Sequence, residues 1–417
     1  FVPVKDKVMI TTTAGDEKGF RNWDDAMLYV SQFNNPTITL LDDCRTTGIF
    51  TLTGNAKTTD ITIDLNDHVL NANVGSQVTF LKLNNSKVTL TITDNSDRQR
   101  GELKVTCSVA KRVDAINVTA GKVVMDGGKV SIHNTSTSTS GNAAAIYAAA
   151  GQSVTMNGGE LYAMSTRYPY GIYGISSAAL ASTSIITMNG GTINAIAKDY
   201  AYGIYGNGII NMNGGTINAT TTVVNGVAVG NYAYGIYANA TPKANDAESF
   251  RSVLTMTGGT INAISGNQYA YGVYAHAAAT TATPSTDGKQ ANRAAAKFSI
   301  AGGEINAEAV STLAYGICDL GCYNSYTDKQ ESKQVPHPIK NVKIRAKANG
   351  SAYGIFVNLS IADYHAAELY GNVVIDNVDS YAETTGTYTA VGVHVNATAQ
   401  WLNRYRYYNI SADNRKT

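Results

Sequence analysis

Charge is scarce in this sequence. Only 15% of its 417 residues are Asp, Glu, Lys or Arg, against about a quarter in ordinary globular chains. The 32 basic residues nearly cancel the 31 acidic ones. That balance leaves no electrostatic case for nucleic acid or an anionic membrane as partner, so any partner must be met by shape and polar contact. Cysteine is nearly as sparse: Cys44, Cys107, Cys318 and Cys322 are too few for a disulfide framework and show no paired CxxC zinc spacing. They read as small buried thiols, with a local Cys318–Cys322 bridge as the alternative. No apolar run is long enough to cross a bilayer, and the opening FVPVKDK lacks the basic and apolar regions of a signal peptide, as expected of a mature or trimmed chain. Proline, at 7 residues, is also rare.

What the chain has instead is 39 glycines, 26 tyrosines and abundant Thr and Asn, the makings of strands joined by tight turns. It also repeats itself. ITMNGGTINA at 186–195 returns as INMNGGTINA at 210–219, a step of 212 − 188 = 24 residues between the methionines. Variants stand at 123–132, 154–163, 254–263 and 298–307. A second phrase alternates with it: AAIYA ending at Ala148, YGIYG at 170–174 and 202–206, YGIYA at 234–238, YGVYA at 271–275, YGICD at 315–319, YGIFV at 353–357 and VGVHV at 391–395.

The first phrase has period-two alternation on both sides of a Gly-Gly pair, hence strand, turn, strand. The second supplies a further short strand. Three short strands in about two dozen residues make one rung of a parallel β-helix. A left-handed form keeps a strict six-residue beat, which is missing here, so the expected fold is an all-β, right-handed parallel β-helix. Before residue 120 the same scheme continues in ITIDLNDHVLNA (61–72), VTFLKLNNSKVTLTITDN (78–95), GELKVT (101–106) and AINVTAG (115–121). Ahead of these, residues 20–35 place Trp23, Met27, Val30 and Phe33 on one helical face, as expected of an N-terminal cap closing the solenoid. The expected organisation is a single domain over 1–417: cap and first strands in 1–60, rungs in 61–398, and a C-terminal cap or tail in 399–417. Inserted loops are expected at 241–252, 276–297 and 323–340.

The succession WDDAMLYV…NPTITLLDD, ITIDLNDHVL, VTLTITDNSDRQRGELKV and rungs of MNGGTINA and YGIY resembles the adhesin-like β-helix proteins exported to the surface of gut and oral bacteria. The resemblance covers most of the chain. It implies an extracellular or cell-surface location, with any signal peptide already removed, and no shared catalytic motif or site residues.

Right-handed β-helices also include polysaccharide lyases, hydrolases and phage tailspike depolymerases, so catalysis needs weighing. Glycoside hydrolysis requires two carboxylates facing across a bond, and lyase chemistry a carboxylate-bound cation and a base. From 141 to 240 the only charged residues are Glu160, Arg167, Lys198 and Asp199, with no pair on a common face. The clusters Asp42-Asp43, Asp64 with Asp67 and Asp94 with Asp97 read as turn caps. His68, His133, His276, His337, His365 and His394 show no metal-ligand spacing. No cofactor and no metal are expected.

Surface remains. If the isoleucine of YGIY points inward, strict alternation sends the first tyrosine inward with it and the second outward. Tyr147, Tyr173, Tyr205, Tyr237 and Tyr274 then form an outward column, interrupted by Cys318 and resumed by Phe356. Two uses of such a column stand: sugar rings stacked on the phenols, or stacking for stability alone. The column Asn194, Asn218, Asn262 and Asn306 is expected to bond along the stack. The interval from the YGIY isoleucine to the next methionine position widens from 8 (204 to 212) to 20 (236 to 256) and 27 (273 to 300). Insertions at one phase of a solenoid project from one face, which is often where binding occurs. The expected function is therefore a non-catalytic, adhesin-like module binding a glycan or a cell-surface protein through a lateral face. A polysaccharide-degrading enzyme, and a scaffold or spacer within a surface assembly, are the alternatives.

Overall fold

The computed structural model describes residues 5–55, 58–75, 78–138, 140–175, 183–224, 227–228, 231–240, 251–277, 295–320, 336–361, 372–399 and 412–413. Most of it is strand, and all but a few of the strand pairings are parallel. A typical rung runs through Ile185–Met188, Thr192–Ala197 and Tyr200–Gly206. We call these three positions strands a, b and c. The b strands form one parallel sheet of eleven, from Cys44–Thr46 to Asp379–Thr384. The a and c strands belong to a second, 23-stranded sheet, because Thr79–Thr93 and Val113–Met125 run unbroken from c into the following a. The rungs stack in register, Met125 on Met156, Met188, Met212 and Met256, and Ile172 on Ile204 and Ile236. This is the expected parallel β-helix.

The interior is a set of these columns. Met188 from strand a, Ile193 and Ala195 from b, and Ile204 from c are all fully buried, so each rung closes on its own apolar side chains and on those above and below. The Gly-Gly pair turns the chain from a to b. Its second member takes a left-handed φ at every copy, from +67° at Gly128 to +97° at Gly303, where a side chain is strained. At Gly191 a Cβ would also stand 2.6 Å from Met156 Cε and 2.7 Å from Gly158 O.

The N-terminal cap is built as expected on its buried face, although its helix is shorter. An α-helix spans Trp23–Tyr29 and passes into one 3-10 turn, Val30–Gln32; Phe33 is already extended. Asn22 Oδ1 accepts from the Asp25 backbone N–H at 2.8 Å, satisfying one of the free donors of the first turn. Asn35, with φ of +43°, and Pro36 then forbid further helix. Trp23 is fully buried and meets Phe50 edge-on at 6.2 Å, which in turn meets Phe80 at 5.8 Å. One further part lies outside the repeat pattern: Val8–Thr11 pairs antiparallel with both Glu17–Phe20 and Thr37–Leu40. The solenoid thus begins on a short antiparallel ribbon.

Segments 241–250, 278–294 and 321–335, the bulk of the three expected loops, lie outside the described residues, as does the C-terminal tail apart from 412–413. Cys322 lies outside them too, while Cys44, Cys107 and Cys318 are free and buried. No helix among the described residues is long and apolar enough to cross a membrane.

Candidate functional site: a face of stacked tyrosines

Strand c does not alternate strictly. In Tyr200–Gly206 the burial runs half-buried, buried, half-buried, buried, buried, half-buried, buried, so Gly203 and Ile204 both face the interior in succession. Pairing skips the glycine, matching Tyr202 to Tyr234 and Ile204 to Ile236. The reason is steric. A Cβ on Gly203 would overlap Ile217 Cγ2 and lie 2.6 Å from Gly235 O; only a glycine lets strand c come this close to strand b and double its inward step. Tyr202 and Tyr205 therefore both emerge outside. The expectation that the first tyrosine of YGIY points inward is corrected here.

Three outward ladders result. One holds the five expected residues Tyr147, Tyr173, Tyr205, Tyr237 and Tyr274 in register, then Cys318, Phe356 and His394. The second holds Tyr170, Tyr202, Tyr234, Tyr271, Tyr315 and Tyr353. The third holds Tyr200, Tyr232 and Tyr269; the thrice-repeated Tyr-Ala-Tyr of the sequence was the available signal for it.

Within the second ladder, centroids from Tyr202 to Tyr234 to Tyr271 are 4.9 Å apart with planes 5° and 3° from parallel. Tyr200 and Tyr232 stack at 4.8 Å and 3°, and Tyr205 and Tyr237 at 4.9 Å and 12°. Coplanar rings cannot approach so closely, so the faces look along the solenoid axis at one another and the ring edges look sideways. The ladders brace each other edge to face, as Tyr202 does Tyr205 at 5.7 Å and Tyr234 does Tyr237 at 5.2 Å. Each such contact contributes about 0.5–1.5 kcal/mol beyond area burial. At the N-terminal end of the first ladder the packing is looser, with planes 42° apart for Tyr147–Tyr173 and 57° for Tyr173–Tyr205.

The central ladder is the most enclosed: Tyr234 and Tyr271 are buried, while Tyr205, Tyr237 and Tyr274 are half-buried. Burial, reinforced by neighbouring phenols, pushes the hydroxyls of Tyr202, Tyr234 and Tyr271 far above the ordinary tyrosine range. Tyr237 is pushed up to about 12 by burial and by Tyr205. These phenols stay protonated at any physiological pH and offer neutral donors and acceptors. Cys318, buried where a phenol would stand, has its thiol pushed well above its usual value by that burial.

At its N-terminal end the face is closed by a charge. In the second ladder Ala144 and Asp114 precede Tyr170. The Arg112 guanidinium lies 4.1 Å from the Tyr147 ring centroid and 5.0 Å from that of Tyr173. Behind it the buried Asp114 accepts from Arg112 Nε at 2.8 Å and from Asn117 Nδ2 at 2.8 Å. The sequence could not single out Arg112, because its ring partners Tyr147 and Tyr173 stand on later rungs, 147 − 112 = 35 and 173 − 112 = 61 residues away.

The amide columns are structural. Asn218 donates to Asn194 Oδ1 at 2.8 Å, Asn262 to Asn218 at 2.8 Å and Asn306 to Asn262 at 3.0 Å, with Asn194 donating to Glu160 at 2.8 Å. The acidic turns cap backbone: Asp94 accepts from the N–H groups of Ser96, Asp67 and Gly101 at 3.0, 3.1 and 2.6 Å. Among the described residues no three His, Cys, Asp or Glu side chains are grouped to hold a metal.

Compared with protein-family models, with curated proteins and with solved structures, the chain returns no match.

Proposed function

We propose that this protein is a non-catalytic, adhesin-like recognition module, displayed outside the cell, that holds an extended glycan along its tyrosine face. The observation that carries the reading is the three-ladder face itself: phenol edges recurring at every rung, about 4.9 Å apart in the ring stacks. With ring faces turned to one another, stacking a sugar on a phenol face is confined to the ends of a ladder. The edges offer something else: alternating apolar C–H and neutral hydroxyl groups in a line. A polymer of sugar residues presents the same mixture along its length, and a linear array binds it by many weak contacts that add. The ordered ladders lower the entropic cost of binding, since the phenols are already held.

The test is a substitution that keeps the stack and removes the hydroxyls. Tyr205→Phe, Tyr237→Phe and Tyr274→Phe combined preserve ring packing, so the variant should fold and melt like the parent. Both proteins are passed over an immobilised panel of glycans, mucins and matrix proteins. Saturable binding by the parent, weakened at least tenfold in the variant, supports the reading; equal binding by both removes this face from it. If the parent binds nothing on the panel, the ladders serve stability alone and a spacer role takes first place.

A further inference from the structure

A second site lies at the opposite end of the sheet system, where the N-terminal cap meets the first b strands. There a groove of about 710 Å³ is lined by Lys7, Arg21, Asn22, Asp43, Arg45 and Asn71, among others. It runs into a neighbouring groove of about 440 Å³ that shares Arg45 and Asn71 and adds hydroxyl and amide side chains, Thr47 and Asn73 among them, and one carboxylate, Asp24, which accepts from the Thr46 hydroxyl. Each is within the size range of small-ligand sites.

The chemistry of this groove is set by which of its groups are already engaged. The other arginine side chains that the structure describes all pair with a carboxylate. Arg98 and Arg100 reach Asp67, Arg112 reaches Asp114, Arg167 reaches Asp199 and Arg345 reaches Asp379, at 2.7–3.9 Å. Arg21 and Arg45 make no ion pair or side-chain hydrogen bond with any described residue, and both are exposed on the same groove. Asn71, next to Arg45 in the b-strand register, likewise spends its amide on nothing described. The acceptors, by contrast, are taken. Asp43 accepts from the Val69 N–H at 2.9 Å and faces His68 at 3.7 Å; Asp42 is held by Lys7 at 3.1 Å. With the other described arginines each facing a carboxylate, this groove gathers two unspent guanidinium groups beside acceptors that are already engaged.

We infer that the cap groove binds the anionic group of an acidic saccharide, a uronate carboxylate or a sulfate ester, with Arg21 and Arg45 on the charge, and the neutral hydroxyls and amides of the adjoining groove on the sugar. Arg presents a planar fork of donors that matches both carboxylate and sulfate oxygens, and such charge-assisted pairs are the strong ones. The adjoining Thr and Asn side chains suit a polyol rather than a bare ion or an apolar peptide. This site does not rest on the tyrosine face, from which it differs in strand, location and ligand charge.

The experiment compares binding of the full chain to polygalacturonate (carboxylate only), dextran sulfate (sulfate ester only) and neutral dextran, at low and high sodium chloride. The expected result is binding to one or both acidic polymers and none to dextran, weakening as salt screens the charges. The polymer that binds identifies the group. Arg21→Gln and Arg45→Gln should each weaken binding about tenfold, the size of one charge-assisted contact. The double variant should abolish it, while the triple Tyr→Phe variant binds as the parent does. A second measurement avoids substitution: phenylglyoxal should modify Arg21 and Arg45 in the parent, and the bound polymer should protect both. The inference is overturned if the parent binds neither acidic polymer above dextran, if the double glutamine variant keeps its affinity, or if the polymer leaves both arginines equally reactive. Failure on the neutral glycan panel with success here would reject the tyrosine-face reading and leave this one standing.

Discussion

Two glycines three residues apart in one strand should respond to alanine in opposite ways. At Gly203 a Cβ would overlap Ile217 Cγ2 and stand 2.6 Å from Gly235 O. The isoleucine can swing, but the carbonyl belongs to the next rung's backbone, held in its ladder. The same 2.6 Å approach to the next rung's glycine oxygen recurs at Gly171, Gly235, Gly272 and Gly316, so no rung has slack to lend its neighbour. Overpacking a close-packed interior costs about 1–3 kcal/mol. A contact with immobile backbone belongs at the upper end, so Gly203→Ala should cost about 3 kcal/mol. At Gly206 the nearest atom is Ile210 Cδ1 at 3.1 Å, and the equivalent positions of the next rungs are already Ala238 and Ala275. Gly206→Ala should therefore fall within about 1 kcal/mol of the parent, and by restricting the unfolded chain it gains about 0.4–1 kcal/mol. Guanidinium unfolding followed by far-ultraviolet circular dichroism reads both, using the first transition because a solenoid unfolds by neighbouring rungs. If Gly203→Ala unfolds no earlier than Gly206→Ala, the steric account of the outward tyrosines is wrong.

Spectrophotometric titration should find Tyr237 ionising at about 12. Because its native pKa lies above the unfolded value near 10, the folded state holds the proton more tightly; that stabilisation is fully present below 10 and lost as pH rises through about 12, and a native chain titrating entirely at 10 would refute the enclosure of the ladders. Asp94 acts in the other direction: burial raises its pKa, but hydrogen bonds from Ser96, Gly101 and Asp67 outweigh that and leave it lowered from 3.8. Its contribution is present above 3.8 and lost as pH falls through the lowered native value, so Asp94→Asn should cost about 2 kcal/mol at neutral pH and progressively less in acid; a pH-independent difference counts against the assignment. Asn157, Asn189 and Asn213 each precede glycine, the sequence most prone to succinimide formation. Yet Gly190 N–H is held by Met156 O at 3.2 Å, and the Asn189 amide is bonded to Asn157 at 2.8 Å. Mass spectrometry should find deamidation at these sites slow in the native chain and fast in denaturant, and equal rates would contradict the ladder.

The interior was readable because a repeated phrase stacks upon itself. Met188 above Met156 and Ile204 above Ile172 follow from the spacing of identical letters once rungs are parallel. The Asn column and its along-stack bonding were readable for the same reason. So was the buried face of the cap, where Trp23, Met27 and Val30 recur at helical spacing. What failed was alternation. Period-two reasoning assigned Tyr202 and Tyr234 to the inside, because nothing in the letters YGIY says that glycine and isoleucine face the same way.

The rung, its length, its inward columns and the outward column from Tyr147 to Tyr274 were legible in the letters alone, since those depend only on repetition and local alternation. Tertiary contact decided the rest. The close approach of strand c to Ile217 put a second line of phenols outside. The fold of the cap over the first b strands brought Arg21 to the groove of Arg45. Those features depend on atoms one or more rungs apart in the chain, and distances between rungs exist only once the chain has wound around its core.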